Sequence, residues 1–90
     1  MVKIRIDPHT LERAQERGAN SEEIKQVIET GLTLDAKHKR SIKAKVYPFN
    51  QLRHGKFYEQ KRVEVICTTE GDTLVTVTVY VFYGKWEEQK

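Results

Sequence analysis

From Phe57 to Tyr83 apolar and polar side chains alternate in two runs, separated by Glu70-Gly71-Asp72. The first run, Phe57 to Thr69, puts Val63, Val65 and Cys67 on one face and Arg62, Glu64, Ile66 and Thr68 on the other. The second, Thr73 to Tyr83, puts Val75, Val77, Val79 and Val81 on one face. Its other face carries Leu74, Thr76, Thr78, Tyr80 and Phe82. A period of two is that of a strand, and the Gly-Asp turn joins the runs into a hairpin. Ile42 to Tyr47 alternates as well and predicts a third strand, stopped by Pro48; Gln51 to Lys56 reads as a turn around Gly55. Lys3 to Ile6 gives a short further strand signal. Leu32 to Ser41 fits a loop, a turn of helix or a ragged edge strand.

Two segments follow the helical period instead. Asp7-Pro8 supplies an N-cap and a first-turn proline, so a helix runs from about Pro8 to Arg17, with Leu11 and Ala14 as its apolar positions. Gly18 stands where a left-handed C-terminal cap is wanted. A second helix opens at Asn20, whose spacing to Glu23 is that of a capping box. It turns Ile24, Val27, Ile28 and Gly31 or Leu32 inward and ends at Gly31. The valine row needs cover, so the expected fold is α+β: two N-terminal helices packed on one face of a three- to four-stranded antiparallel sheet. Ninety residues make one domain, 1–90.

Charge changes this picture. The net +3 is uneven: Lys37 to Arg62 holds nine Lys or Arg against Glu59 alone, a net of +8, and the rest of the chain carries −5. His38 and His54 lie in that stretch, with Tyr47, Phe49, Phe57 and Tyr58 interleaved. A solvated loop would look the same. Cations that neutralise phosphates, beside aromatic rings that stack on bases, also suit a polyanion, so Lys43, Lys45, Lys61 and Arg62 are candidate RNA-binding residues. No apolar run reaches the roughly 20 residues of a membrane span. Met1 to Ile6 has no leader-like apolar core, and the one cysteine forms no intrachain disulfide. A cytoplasmic protein without membrane contact is expected.

Candidate chemistry gathers on the first helix. His9, Arg13 and Arg17 are spaced by four and lie near one another. RNA can be cut without a metal if a base takes the 2′-hydroxyl proton, cations hold the phosphate and an acid protonates the leaving oxygen. Histidine suits either proton role. Each residue also has a plainer reading. His9 would cap the helix, and Arg13 would pair with Glu12, Glu16 or Glu88. Thr76, Thr78 and Tyr80 share a strand face on which such residues are ordinary. If the last two strands pair, Arg62 falls on that face near Tyr80. One cysteine and three separated histidines give no metal-ligand spacing, and there is no glycine-rich phosphate loop. No cofactor is expected, and Cys67 reads as core.

The run His9-Thr-Leu-Glu-Arg13-Ala-Gln-Glu-Arg17-Gly18, the second helix and the late strand Val75-Thr-Val-Thr-Val-Tyr80 resemble a family of small bacterial and phage domains. That family is grouped with RelE-like toxins and colicin-type ribonucleases. The resemblance implies a RelE- or barnase-like fold and metal-independent RNA cleavage. It carries over onto His9, Arg13 and Arg17 in the helix and Thr78 and Tyr80 in the last strand. The basic stretch and the tail Tyr83 to Trp86 stand outside the motif. The leading expectation is an endoribonuclease of the toxin type, with His9 as acid or base, Tyr80 assisting, and Arg13, Arg17, Lys61 and Arg62 on phosphate. The rivals are a nucleic-acid-binding module without catalysis and a module that binds an acidic partner, such as an antitoxin or immunity protein.

Overall fold

Local chemistry places both helices. In a computed structural model, which describes residues 3–37 and 39–86, helix α1 (Pro8–Arg17) starts at Asp7, whose carboxylate accepts from the His9 N–H at 2.8 Å. It ends at Gly18 in the left-handed conformation, φ 101°. Helix α2 (Ser21–Thr30) has the full capping box between Asn20 and Glu23. Ile24, Val27 and Ile28 of α2 are buried as the period requires, whereas Leu32 is 43% exposed and not part of the stripe. In α1 the fully buried positions are Thr10 and Ala14, with Leu11 half-buried. Met1, Val2, His38 and Glu88 lie outside the described residues.

The class is α+β, with two helices and a five-stranded mixed sheet in the order β1-β5-β4-β3-β2. The strands are β1 (Lys3–Arg5), β2 (Leu32–Lys37), β3 (Arg40–Arg53), β4 (Lys56–Glu70) and β5 (Thr73–Gly84). The sheet is larger than expected for two reasons. Residues 32–37 form an edge strand, and the three-residue β1 pairs with β5 in parallel, Ile4 facing Leu74. Three residues carry too little pattern to announce a pairing some 70 positions away.

Three local expectations need correction. Strand β3 does not stop at Pro48. Pro48 faces Gln60 and the next paired residue is Gln51, so Phe49 and Asn50 bulge out where proline's missing N–H is tolerated. The turn beyond is only His54-Gly55, both at positive φ, as a two-residue hairpin turn of the I′ type requires. The four-valine row is also broken. Ile66 faces Thr78 and Cys67 faces Thr76, so Val77 is the extra residue of a bulge. Thr76 therefore turns inward, 3% exposed, while Val77 is 42% exposed.

The core joins Ala14 of α1, Ala19, and Ile24, Val27 and Ile28 of α2 to Val63, Val65 and Val79 of the sheet. Cys67 is buried beside it, its sulfur 3.3 Å from the Ser41 hydroxyl. Tyr47 bridges β3 to α2, donating to the Gln26 side-chain oxygen at 2.9 Å. Burial, reinforced by the Glu23 carboxylate, pushes its phenol up to about 12. Neither ten-residue helix is long and apolar enough to cross a membrane.

A Cβ at position 18 would overlap the Tyr83 hydroxyl oxygen, and the positive φ strains any L side chain. Left-handed strain alone costs on the order of 1–3 kcal/mol. Gly18→Ala should lower unfolding stability by more than about 2 kcal/mol in urea titration; an unchanged midpoint would show that the cap is dispensable.

Tyr47 has a folded pKa above its unfolded value of 10.0. Its contribution is complete below pH 10.0 and is lost as pH rises toward about 12, because the unfolded chain releases the proton first. Between those limits the stability of Tyr47→Phe should fall less steeply than wild type, and equal slopes would refute the assignment.

Candidate functional site

Helix α1 runs alongside β5 and is pinned to it at both ends. At its start the Asp7 N–H donates to the Thr76 hydroxyl at 2.9 Å. Near its end Arg17 donates to the Val79 carbonyl at 2.7 Å, and the Tyr83 hydroxyl donates to the Arg17 carbonyl at 2.6 Å. Four residues of helix rise about 6 Å and two residues of strand about 6.6 Å. A helix row stepping by four therefore keeps pace with a strand row stepping by two. His9, Arg13 and Arg17 are the helix row; Thr78, Tyr80 and Phe82 are the strand row.

The observed contacts follow this match. His9, Thr10, Arg13, Val77 and Thr78 line one cleft of about 190 Å³. One step further, the Arg17 guanidinium lies 5.4 Å from the centre of the Tyr80 ring, within cation–π range. The bulge at Val77 sits in the cleft wall, and re-aiming side chains is what bulges beside sites do.

Two features give the cleft its chemistry. Arg13 is exposed and forms no ion pair with Glu12 or Glu16 among the described residues. Thr10 is 1% exposed, and its hydroxyl has no hydrogen-bond partner among the described residues. Leaving a buried hydroxyl unsatisfied costs about 1–3 kcal/mol, so the cleft floor carries an unsatisfied polar atom just beneath its surface. His9 presents an exposed imidazole at the rim while its backbone serves the Asp7 cap.

The other expected residues are dispersed. Lys61 is 9% exposed; its ammonium donates to the Gly18 carbonyl at 2.7 Å and pairs with Glu23 at 3.0 Å. It shares the inward parity of Val63 and Val65 and is a structural cation. Arg62 does face away from the core, opposite Phe82, but pairs with Glu64 at 3.0 Å, and Glu64 is itself opposite Tyr80. Lys43 and Lys45 face Val65 and Val63, which puts them on the helix side, and Lys45 donates to Thr30 at 2.8 Å. The basic stretch is thus distributed over both sides of the sheet and does not merge with the Thr78–Tyr80 row into one surface.

Thr10, Tyr83 and Arg53 carried no expected role, and Glu23 was expected only as the capping-box partner of Asn20. Thr10 lies within the helix motif itself. Tyr83, Arg53 and Glu23 hold the end of α1: Arg53 donates to the Glu16 carbonyl at 3.2 Å and lies 4.7 Å over the Tyr83 ring. Burial raises the Tyr83 phenol, although Arg53 pulls it down. The inward parity of Lys61 and Tyr83 was the available signal.

The chain belongs to the DUF4258 family, a domain of unknown function, whose model matches residues 6–81. That span includes the cleft residues and Arg17 and Tyr80. No curated protein and no solved structure matches the chain.

Removing one partner of a buried pair strands the other charge, at a cost of roughly 3–5 kcal/mol. Lys61→Ala should therefore lower unfolding stability by about 3 kcal/mol. A loss below about 1 kcal/mol would place Lys61 among ordinary surface cations.

Proposed function

We propose that this domain is an endoribonuclease of the toxin type, cleaving RNA with its own side chains at the cleft between α1 and β5. The carrying observation is the convergence of His9, Arg13 and Thr78 on one small cleft beside the unpartnered Thr10 hydroxyl. At about 190 Å³ the cleft is smaller than the roughly 300–1,000 Å³ of small-molecule pockets, so it suits a phosphate with the rest of the molecule outside. The resemblance of the helix motif to small bacterial and phage domains grouped with RelE-like toxins supports the reading, and the α+β class is compatible with it.

In this reading Arg13 and the Thr78 hydroxyl hold the scissile phosphate. His9 takes the 2′-hydroxyl proton, the 2′ oxygen bonds to phosphorus, and the bond from phosphorus to the 5′ oxygen breaks. The Tyr80 hydroxyl gives a proton to the departing 5′ oxygen. The products are a 2′,3′-cyclic phosphate and a 5′-hydroxyl. Charge builds on the phosphate oxygens in the transition state, where the Arg13 guanidinium stabilises it.

The test is incubation with a mixed-sequence oligoribonucleotide and with total RNA, with product ends identified by mass spectrometry. His9→Ala should slow cleavage by about 10²–10⁴-fold and Arg13→Ala by about 10²–10³-fold. Expression should arrest growth, and Arg13→Ala should relieve the arrest. A His9→Ala protein as active as wild type removes His9 from the mechanism. A wild-type protein that cleaves neither RNA sinks the reading.

One observation favours a second reading, an acidic protein partner. Lys37, Lys39 and Arg40, with Ile42 and Thr68, line a cleft of about 400 Å³ at the β2–β3 turn, in which Asp35 is the acid. An acidic antitoxin or immunity segment would match its charge.

A further inference from the structure

The open face of β5 carries two aromatic residues that packing does not explain. Tyr80 is 41% exposed and Phe82 is 46% exposed. Their rings are close to parallel, 29° apart, with centres separated by 6.3 Å, about one two-residue step along the strand. Tyr83, on the opposite parity, is by contrast tied to Phe49, Tyr58 and the end of α1.

The electrostatics around these rings are one-sided. On one flank Arg62 and Glu64 neutralise each other. On the other stand Arg13 and Arg17 in register with Thr78 and Tyr80. Arg17 uses one hydrogen bond on the Val79 carbonyl, leaving most of its five N–H donors unused by the described residues. The cation observed against these rings is Arg17, 5.4 Å from the centre of the Tyr80 ring, with Arg13 next in its row. The row's spacing of about 6 Å is comparable to the separation of successive phosphates along an extended polynucleotide.

We infer that Tyr80 and Phe82 form a base-stacking platform, and that the strip from the cleft to Phe82 takes single-stranded nucleic acid. Phosphates lie along Arg13 and Arg17, and the bases on one side of the scissile phosphate stack on Tyr80 and then Phe82. A duplex cannot use this strip, since its bases already stack on one another and present no faces to the rings. The inference rests on the reading of the His9–Arg13 cleft as the phosphate site, and it adds the substrate's form and Phe82 as a binding residue. The tail of the strip also explains how so small a cleft could hold a long polymer: most contact is on the open sheet.

The experiment measures binding of the full chain to a 2′-O-methyl oligonucleotide, which has no 2′-hydroxyl to attack, by fluorescence anisotropy. The single strand should bind at least about tenfold more tightly than the same strand annealed to its complement. Phe82→Ala should weaken single-strand binding about tenfold, Phe82→Leu should weaken it nearly as much, and Phe82→Trp should retain it, because a π-face and not mere apolar surface is required. Phe82 is exposed, and circular dichroism checks that the variants fold.

If Phe82→Leu binds like wild type, or the duplex binds as tightly as the single strand, the platform is overturned even where RNA cleavage depends on His9. If binding follows Phe82 but wild type cleaves no RNA, the platform stands and the cleavage reading falls. Concentration-dependent dimers that Phe82→Ala dissociates, with oligonucleotide affinity unchanged, would assign the rings to a second copy of the chain and overturn the platform.

Discussion

The C-terminal end of α1 is held by three strands at once, and the rest of the molecule depends on it. A helix leaves its last carbonyls without intrahelical partners and concentrates partial negative charge there. Here the carbonyls of Glu16, Arg17 and Gly18 receive donors from Arg53 of β3, Tyr83 of β5 and Lys61 of β4. Two of the three donors are cationic, which makes them charge-assisted and suits the helix dipole. Lys61 also pairs with Glu23, so the same ammonium ties α2 into the junction. No side chain at position 18 could coexist with this arrangement, which accounts for glycine there on steric as well as conformational grounds.

Anchoring α1 at that end fixes its angle and its rotation against β5. The Asp7–Thr76 bond at the other end leaves little freedom to slide. The matched rises of helix and strand then bring Arg13 to Thr78 and Arg17 to Tyr80 without any further device. Division of labour follows along one helix. Its C-terminal turn is committed to structure, and its first turn and a half presents His9 and Arg13 outward. Arg17 belongs to both, since its hydrogen bond to Val79 closes the β5 edge while its charge lies over the Tyr80 ring.

Both helices, their caps and the long hairpin were legible in the sequence because each is specified locally. Asp7-Pro8, Gly18 and the Asn20–Glu23 box act within a few residues of themselves. The short β1 was hinted at by its alternation, but its parallel partner is distant and no pattern encodes that choice. The bulge at Val77 was hidden for a different reason. Thr73 to Tyr83 alternates without a break, and a bulge there is set by what faces it, Ile66 and Cys67, and by the Asp7 N–H seeking the Thr76 hydroxyl. Of the candidate site, the helix spacing was readable and the burial of Thr10 was not. A threonine in the first turn of a helix gives no sign of being 1% exposed with an unpartnered hydroxyl, because that depends on what packs over it.

The basic stretch shows why charge density along a chain is a poor guide to charge density on a surface. Residues 37–62 span the end of one strand, all of a second and the start of a third, so alternation sends successive cations to opposite sides of the sheet. Pairing then consumes several: Lys61 on Glu23, Arg62 on Glu64, Lys45 on Thr30, Arg53 on a helix carbonyl. What is left is split among the β2–β3 turn, Lys43 within β3 and Lys56 at the far hairpin. The helix row carries less charge, but its spacing of four keeps Arg13 and Arg17 on one side, next to Thr78 and Tyr80. Period, and not number, decides which cations share a surface, and for that reason a short row on a helix can serve as a candidate phosphate contact while a longer basic stretch on strands is dispersed.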